Sequence, residues 1–245
     1  MLADIKVWLA HFEHHAARTC QVSHERPDQL TGPERVAIAR SIAVFQLGEQ
    51  GEGAHLLAGA AELARSQAVP EIVPIMRLLV REEQRHAALL RTFMARYAIP
   101  LRRRDWSDRI FRRLRHLAGF ELCVSVLITA ELVGIVYYRA LEAATRCQPL
   151  RTLCRTLVAD ELAHVAFEAE LLLALRARRA PLSRLLLRLA HRAFFIITVV
   201  VAWHAHRSVL HRAGHRLRDF LGLCRAQYTF YLEAPVPAPS SIAAR

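Results

Sequence analysis

Residues 83–86 have the sequence EQRH, and residues 161–164 have the sequence ELAH. Both stretches follow the pattern Glu-x-x-His. In an α-helix, residues three positions apart project side by side, so the carboxylate and the imidazole of each pair are placed to bind one metal ion. The repeated motif therefore predicts two metal-binding pairs on two separate helices.

Each motif belongs to a stretch in which apolar residues recur at steps of three and four. This spacing keeps the apolar side chains on one face of a helix, as in the interior of a helical bundle. Long helices with such faces predict an all-α protein built on a four-helix bundle. The four predicted bundle helices are at about 31–66, 70–97, 117–145 and 149–179.

The apolar face of every predicted bundle helix carries acid near its middle. The first helix has Glu49 and Glu52, and the third has Glu131. A carboxylate in a dry interior is costly unless it is paired or bound to a metal, and these faces contain no arginine. Oxygen donors with two imidazoles suit divalent first-row metals. A buried polar network without metal and a structural metal site without redox activity are the alternatives.

The pattern resembles the ferritin-like diiron-carboxylate superfamily, which includes ferritins, rubrerythrins and ribonucleotide reductase small subunits. The chain has the order Glu, then Glu-x-x-His, twice over residues 32–178. The resemblance implies a ferritin-like four-helix bundle with a long crossover between its second and third helices. Additional helices are predicted at the N-terminus and the C-terminus.

The resemblance also implies two iron ions, bridged by the Glu of each Glu-x-x-His pair and each bound by one His. A manganese–iron pair would use the same ligands. On the first helix Glu52 is favoured over Glu49, because its spacing of 31 residues to Glu83 is close to the 30 residues between Glu131 and Glu161. The implied metal ligands are Glu52, Glu83, His86, Glu131, Glu161 and His164, with Glu49 as the alternate to Glu52.

The implied function is a diiron oxidoreductase that activates dioxygen or peroxide, an oxidase or oxygenase of an unidentified substrate. No catalytic residue beyond the metal ligands is predicted. The chain has no ferredoxin-type cysteine set, so an external electron donor or reductase, or the substrate itself, would supply electrons. One alternative is a ferritin-like iron-binding ferroxidase without organic substrate. The other is a diiron hydroxylase that acts on RNA or lipid.

Several residues near the predicted ligands have two interpretations. Glu168 lies two turns after Glu161; pairing with an arginine is favoured, and a further metal ligand is the alternative. Asp160 is the favoured acceptor for the second N–H of a ligating histidine. The glycines of segment 48–53 indicate either space or a bulge beside the metals, or close helix packing. The histidines at 11, 14 and 15 are predicted at the surface.

The composition excludes a disordered chain, because 53% of the 245 residues are hydrophobic. Five cysteines without a CxxC pair indicate reduced thiols and a cytoplasmic protein. The predicted organisation is an N-terminal helix and loop at 1–30 and the bundle at 31–180. A helical extension packed on the bundle follows at 181–233, and a disordered tail at 234–245.

The formal net charge is +12, and residues 102–115 hold seven arginines. A solvated helix face is the favoured interpretation of this stretch, and a nucleic acid or a membrane surface is the alternative partner. The most apolar run is AFFIITVVVAW at 193–203, which is too short to span a bilayer. Packing on the bundle, or on a second copy in a homodimer, is favoured over attachment to a membrane surface.

Overall fold

The computed structural model describes residues 5–16, 30–51, 53–103 and 119–233. The described residues contain helices and no strand, which confirms the all-α prediction. A short π-helical turn, Thr229–Glu233, follows the last α-helix. The α-helices are α1 (Ile5–Ala16), α2 (Gly32–Gly48), α3 (Ala54–Gln67), α4 (Ile72–Arg96), α5 (Phe120–Ala143), α6 (Gln148–Ala177), α7 (Pro181–Arg212) and α8 (Leu217–Tyr228).

Some predicted features lie outside the described residues. They are most of the loop at 20–30, the short helix expected after Ser107, most of the arginine-rich stretch 102–115 and the tail at 234–245. Glu52, the favoured ligand of the first bundle helix, is also outside them.

The described helices belong to two compact units. The N-unit comprises the described residues of 5–123 together with Arg146–Leu153, and the C-unit comprises Val124–Thr145 and residues 154–233. Helices α1 to α4 lie wholly in the N-unit, and α7 and α8 lie wholly in the C-unit. The unit boundaries fall within α5 and α6.

Helix α4 is the central helix of the N-unit, since α1, α2 and α3 each pack against it. Its apolar face is completely buried at Ile75, Leu79 and Leu90. The Gln46 side-chain amide of α2 donates a hydrogen bond to the Ala87 carbonyl of α4 at 3.4 Å. The first Glu-x-x-His motif is therefore carried by a helix that three neighbours hold in place.

A capping box begins α2, at the residues where the sequence pattern predicts a helix start. The Glu34 N–H donates to Thr31 Oγ1 at 3.3 Å, and the Thr31 N–H donates to the Glu34 carboxylate at 3.0 Å. The second Glu34 oxygen accepts a hydrogen bond from the Arg146 N–H at 2.8 Å. This buried carboxylate thus joins the start of α2 to the segment that precedes α6.

The predicted continuous helix from Thr31 to about Ser66 is wrong, because the chain leaves the helix after Gly48 and begins α3 at Ala54. Gly53 has φ 66°, in the left-handed region that glycine adopts without strain. A Cβ on Gly53 would lie 2.5 Å from Val80 Cγ2 of α4. The segment is therefore a break in the helix, and Gly53 permits a close approach of α4.

A buried polar network joins three helices of the C-unit. The Arg176 guanidinium of α6 donates to Ser125 Oγ of α5 and to His191 Nδ1 of α7, both at 3.1 Å. Because a guanidinium only donates, His191 Nδ1 accepts and its proton is on Nε2, 2.9 Å from Thr129 Oγ1. Burial, together with the Arg176 charge, lowers the pKa of His191 to about 3, against the smaller opposing effect of the Ser125 backbone.

Gly53→Ala is expected to lower the free energy of unfolding by about 2 kcal/mol, because the new Cβ meets Val80 and the positive φ becomes strained. Gly48→Ala is the matched control. Gly48 is the last residue of α2, and a Cβ there meets no described atom within 4 Å. That substitution should stabilise the protein by up to about 1 kcal/mol. Urea unfolding measures both values, and equal effects would contradict the structural role of Gly53.

The lowered pKa of His191 predicts a loss of stability in acid. Below the ordinary histidine pKa of about 6.5 the unfolded chain takes up a proton that the folded chain refuses until about pH 3. The His191 contribution is therefore complete above about pH 6.5 and declines below it by up to about 1.4 kcal/mol per pH unit. Urea unfolding of the parent and of His191→Gln across this range should show a stability difference that shrinks in acid. A constant difference would contradict a neutral His191.

Candidate metal centre

The first Glu-x-x-His motif lies on α4 with its two side chains adjacent, as the spacing predicts. Glu83 Oε1 is 3.7 Å from Nδ1 of His86, which is completely buried. Glu49, at the end of α2, adds a second carboxylate. One ligand atom from each of these three residues lies within 4.8 Å of the others. Glu49, Glu83 and His86 are termed the N-cluster.

The second motif lies on α6 in the C-unit and has the same local geometry. His164 Nδ1 is 3.4 Å from Glu161 Oε2 and 4.0 Å from Glu131 Oε1 of α5. One ligand atom from each of the three again lies within 4.8 Å of the others. All three side chains are buried. Glu131, Glu161 and His164 are termed the C-cluster.

The separations between imidazole and carboxylate are 3.4, 3.7 and 4.0 Å. A direct N–H···O hydrogen bond is about 2.7–3.2 Å long. Two ligand atoms that one first-row ion holds at about 2.0–2.2 Å lie at most about 4.4 Å apart. The observed separations are thus too long for hydrogen bonds and short enough for a shared metal ion. The structure therefore contains buried carboxylate and histidine clusters that could bind metal.

The donor set of each cluster also fits a metal electrostatically. Each cluster places two carboxylates beside one imidazole in a mostly buried position. Like charges at this distance repel one another strongly when water is excluded. A divalent cation between them replaces that repulsion with attraction, and oxygen with imidazole ligands is the combination that iron and manganese accept.

Apolar residues on the same helices keep water away from both clusters. On α4 the completely buried Leu79 and Leu90 lie on either side of the first motif. On α6 Leu157 and Leu171 occupy the corresponding positions, each seven residues from His164. Such flanking burial lowers the effective dielectric around the donors, so a bound cation would interact with them more strongly than in water.

Of the two acids on the first predicted bundle helix, the structure brings Glu49 to the N-cluster. Glu49 follows α2 directly and keeps helical backbone angles, φ −68° and ψ −14°. Its side chain is 9% exposed. The preference for Glu52 stays a prediction, because that residue lies outside the described part of the chain.

Three nearby residues clarify the limits of the clusters. Glu168 is completely buried on α6, yet it belongs to none of the candidate metal groups among the described residues. Glu82, next to Glu83, forms an ion pair with Arg85 and lies 3.6 Å from His15 Nδ1 of α1. The surface prediction for His15 is thus wrong, since its side chain is only 14% exposed. Its contact with α4 joins residues 67 positions apart, which local periodicity does not detect.

No protein-family model, no curated protein and no solved structure matches this chain. The assignment of a function therefore depends on the chemistry of the two clusters.

Anaerobic Fe(II) is expected to raise the Tm by about 5 °C or more at saturating metal, because an ion that binds only the folded chain stabilises it. Glu161→Gln should remove this metal-dependent shift, since the amide supplies a neutral and weaker ligand. Glu168→Gln is the matched control on the same helix and should keep the shift. Differential scanning calorimetry measures each variant with and without metal. Loss of the shift in both variants alike would contradict the assigned C-cluster.

Proposed function

We propose that this chain is a ferritin-like, carboxylate-bridged diiron oxidoreductase that acts on dioxygen or peroxide. The observation that carries the proposal is the double occurrence of one buried donor set. In each unit a carboxylate from one helix joins a Glu-x-x-His pair on another, at separations suited to a shared ion. A single such set is common in metal-free proteins, whereas a repeated set is the pattern that a dinuclear site requires.

The proposal further holds that both clusters serve a single two-metal site. Each cluster alone supplies two carboxylates and one imidazole, which leaves a first-row ion with few protein ligands. A carboxylate has two oxygens and can bridge two ions, so Glu83 and Glu161 would share them. His86 and His164 would each bind one ion. Glu131 would be a terminal ligand at one ion, and Glu49 or Glu52 at the other.

The fold that accompanies this proposal is a ferritin-like bundle. Helices α2, α4, α5 and α6 would be its four members, and the connection between α4 and α5 would be the long crossover. The order of the ligands along these helices, Glu then Glu-x-x-His in each half, supports that assignment. Helices α1, α7 and α8 would be additions to the bundle.

Bound iron would supply the one-electron chemistry and the dioxygen-binding capacity that protein side chains lack. The contribution of the chain itself is electrostatic and geometric. The Glu side chains offset the cationic charge, and the i,i+3 spacing holds each imidazole next to its carboxylate. The apolar residues beside His86 and His164 exclude water, which limits side reactions of a reactive oxidant. Electrons would come from an external donor, since the chain carries no CxxC pair.

Oxidation of a substrate is preferred over iron storage within this class. Storage needs a closed shell of many identical bundles, whose outer surfaces pack on one another. This chain carries two further helices, α7 and α8, after the fourth proposed bundle helix. A native particle of one or a few chains is therefore expected.

Metal analysis and oxygen uptake test the proposal directly. The parent protein, purified without chelator and loaded anaerobically with Fe(II), should hold about two iron ions per chain. It should then consume dioxygen with the appearance of a ligand-to-metal absorption band. Glu83→Ala and Glu161→Ala should each abolish binding of both ions, because each removes a bridging ligand. Glu168→Ala is the control and should keep about two ions.

The stoichiometry of the variants separates the competing arrangements. Retention of one ion per chain in Glu83→Ala or in Glu161→Ala would mean two independent mononuclear sites and would contradict a joint site. Absence of iron uptake by the parent would overturn the diiron assignment altogether. A large closed particle in light scattering would instead favour iron storage.

A further inference from the structure

Helix α7 presents apolar residues on two opposite faces. One face packs into the C-unit, where Phe195, Val199 and Trp203 are at most 7% exposed. The other face is directed outward, because its members recur at helical spacing on the opposite side. This outward face, termed the α7 strip, consists of Leu182, Leu186, Leu189, Ile196 and Ile197, which are 44–68% exposed.

An exposed row of this kind differs from the single exposed apolar residues that most proteins carry. Two described helices, α5 and α7, are long and apolar enough to cross a membrane by length and composition alone. The most apolar window of α5 is 72% buried, so its hydropathy is that of an interior helix. The corresponding window of α7 is only 22% buried. Packing within the chain therefore does not account for the apolar character of α7.

The charges on α7 are all of one sign. Its 32 residues include no aspartate or glutamate. Arg184, Arg188 and Arg192 recur every four residues, so they form a row beside the α7 strip. Arg178 and Arg179, just before the helix, are also exposed. The partner that complements this surface is apolar at its centre and anionic at its rim.

A second copy of this chain fits these charges poorly. A two-fold contact between two α7 strips would bring the same arginines of both copies together, with no acid on either α7 to balance them. A bilayer that contains anionic lipid fits well. The leucines would enter the acyl boundary, while the arginine stems would lie on the apolar surface and their guanidinium groups would reach the phosphates.

The helix is suited to lie in the membrane surface and not to cross the bilayer. Its inner face is occupied by the C-unit core, and its first three turns contain two arginines, Arg184 and Arg188. We propose that the α7 strip docks this protein on the surface of an anionic lipid bilayer, with α7 parallel to the membrane plane. This inference depends on α7 alone and is independent of the metal chemistry.

Co-sedimentation of the full-length protein with vesicles tests the proposal. The probes are phosphatidylcholine vesicles and phosphatidylcholine vesicles with about 30% phosphatidylglycerol. The parent should bind the anionic vesicles, and added salt should weaken the binding. Leu186→Ser with Leu189→Ser should reduce the partition coefficient at least about tenfold, because two inserted side chains are lost. Val36→Ser is the matched control, since Val36 is 82% exposed on α2 and should keep parental binding.

A second pair of variants tests the electrostatic part. Arg188→Gln should weaken binding to the anionic vesicles about fivefold. Arg218→Gln, whose side chain is 78% exposed on α8, should leave it unchanged. Both leucine positions are exposed, so circular dichroism of the variants should match the parent.

Two results would overturn the proposal. One is equal binding of the parent and the double serine variant, or binding that ignores phosphatidylglycerol. The other is a stable dimer in light scattering without vesicles that becomes a monomer in the double serine variant, since that would assign the α7 strip to a second copy.

Discussion

Burial of carboxylates beside imidazoles is the constraint on which the interior of this protein depends. Glu131 and Glu161 lie with His164 in a region that leucines otherwise fill, and Glu83 lies against the completely buried His86. An ionised carboxylate in such a place costs several kcal/mol unless an opposite charge offsets it. The helices that carry these residues are therefore stable in their positions only if the clusters are neutralised, which couples metal binding to folding.

The parts of the structure that were predictable are those that local spacing determines. The apolar period predicted a helix at about 70–97 that spans Ile72–Arg96, and one at about 149–179 that spans Gln148–Ala177. The Thr31 capping box was also predicted, because its partner is three residues away. The adjacency of glutamate and histidine in both motifs follows from the same i,i+3 geometry.

The parts that were not predictable depend on residues distant in the chain. Apolar residues continue at helical spacing on both sides of the break after Gly48, so periodicity alone favours one helix. The close approach that requires glycine at position 53 involves Val80, 27 residues later. The preference for Glu52 assumed an unbroken helix, and the spacing argument loses that basis once α2 ends at Gly48. His191 likewise bonds to Ser125 and Thr129 more than 60 residues away.

The buried acids also change the surface of the molecule. Only one arginine, Arg176, is buried among the described residues, whereas seven acidic side chains are. Acids inside no longer offset the arginines outside, so the exposed surface is more positive than the formal net charge of +12 indicates. An anionic surface would attract this protein through the same distribution of charge that leaves the interior ready for cations. The buried acids are Glu34, Glu49, Glu82, Glu131, Asp160, Glu161 and Glu168.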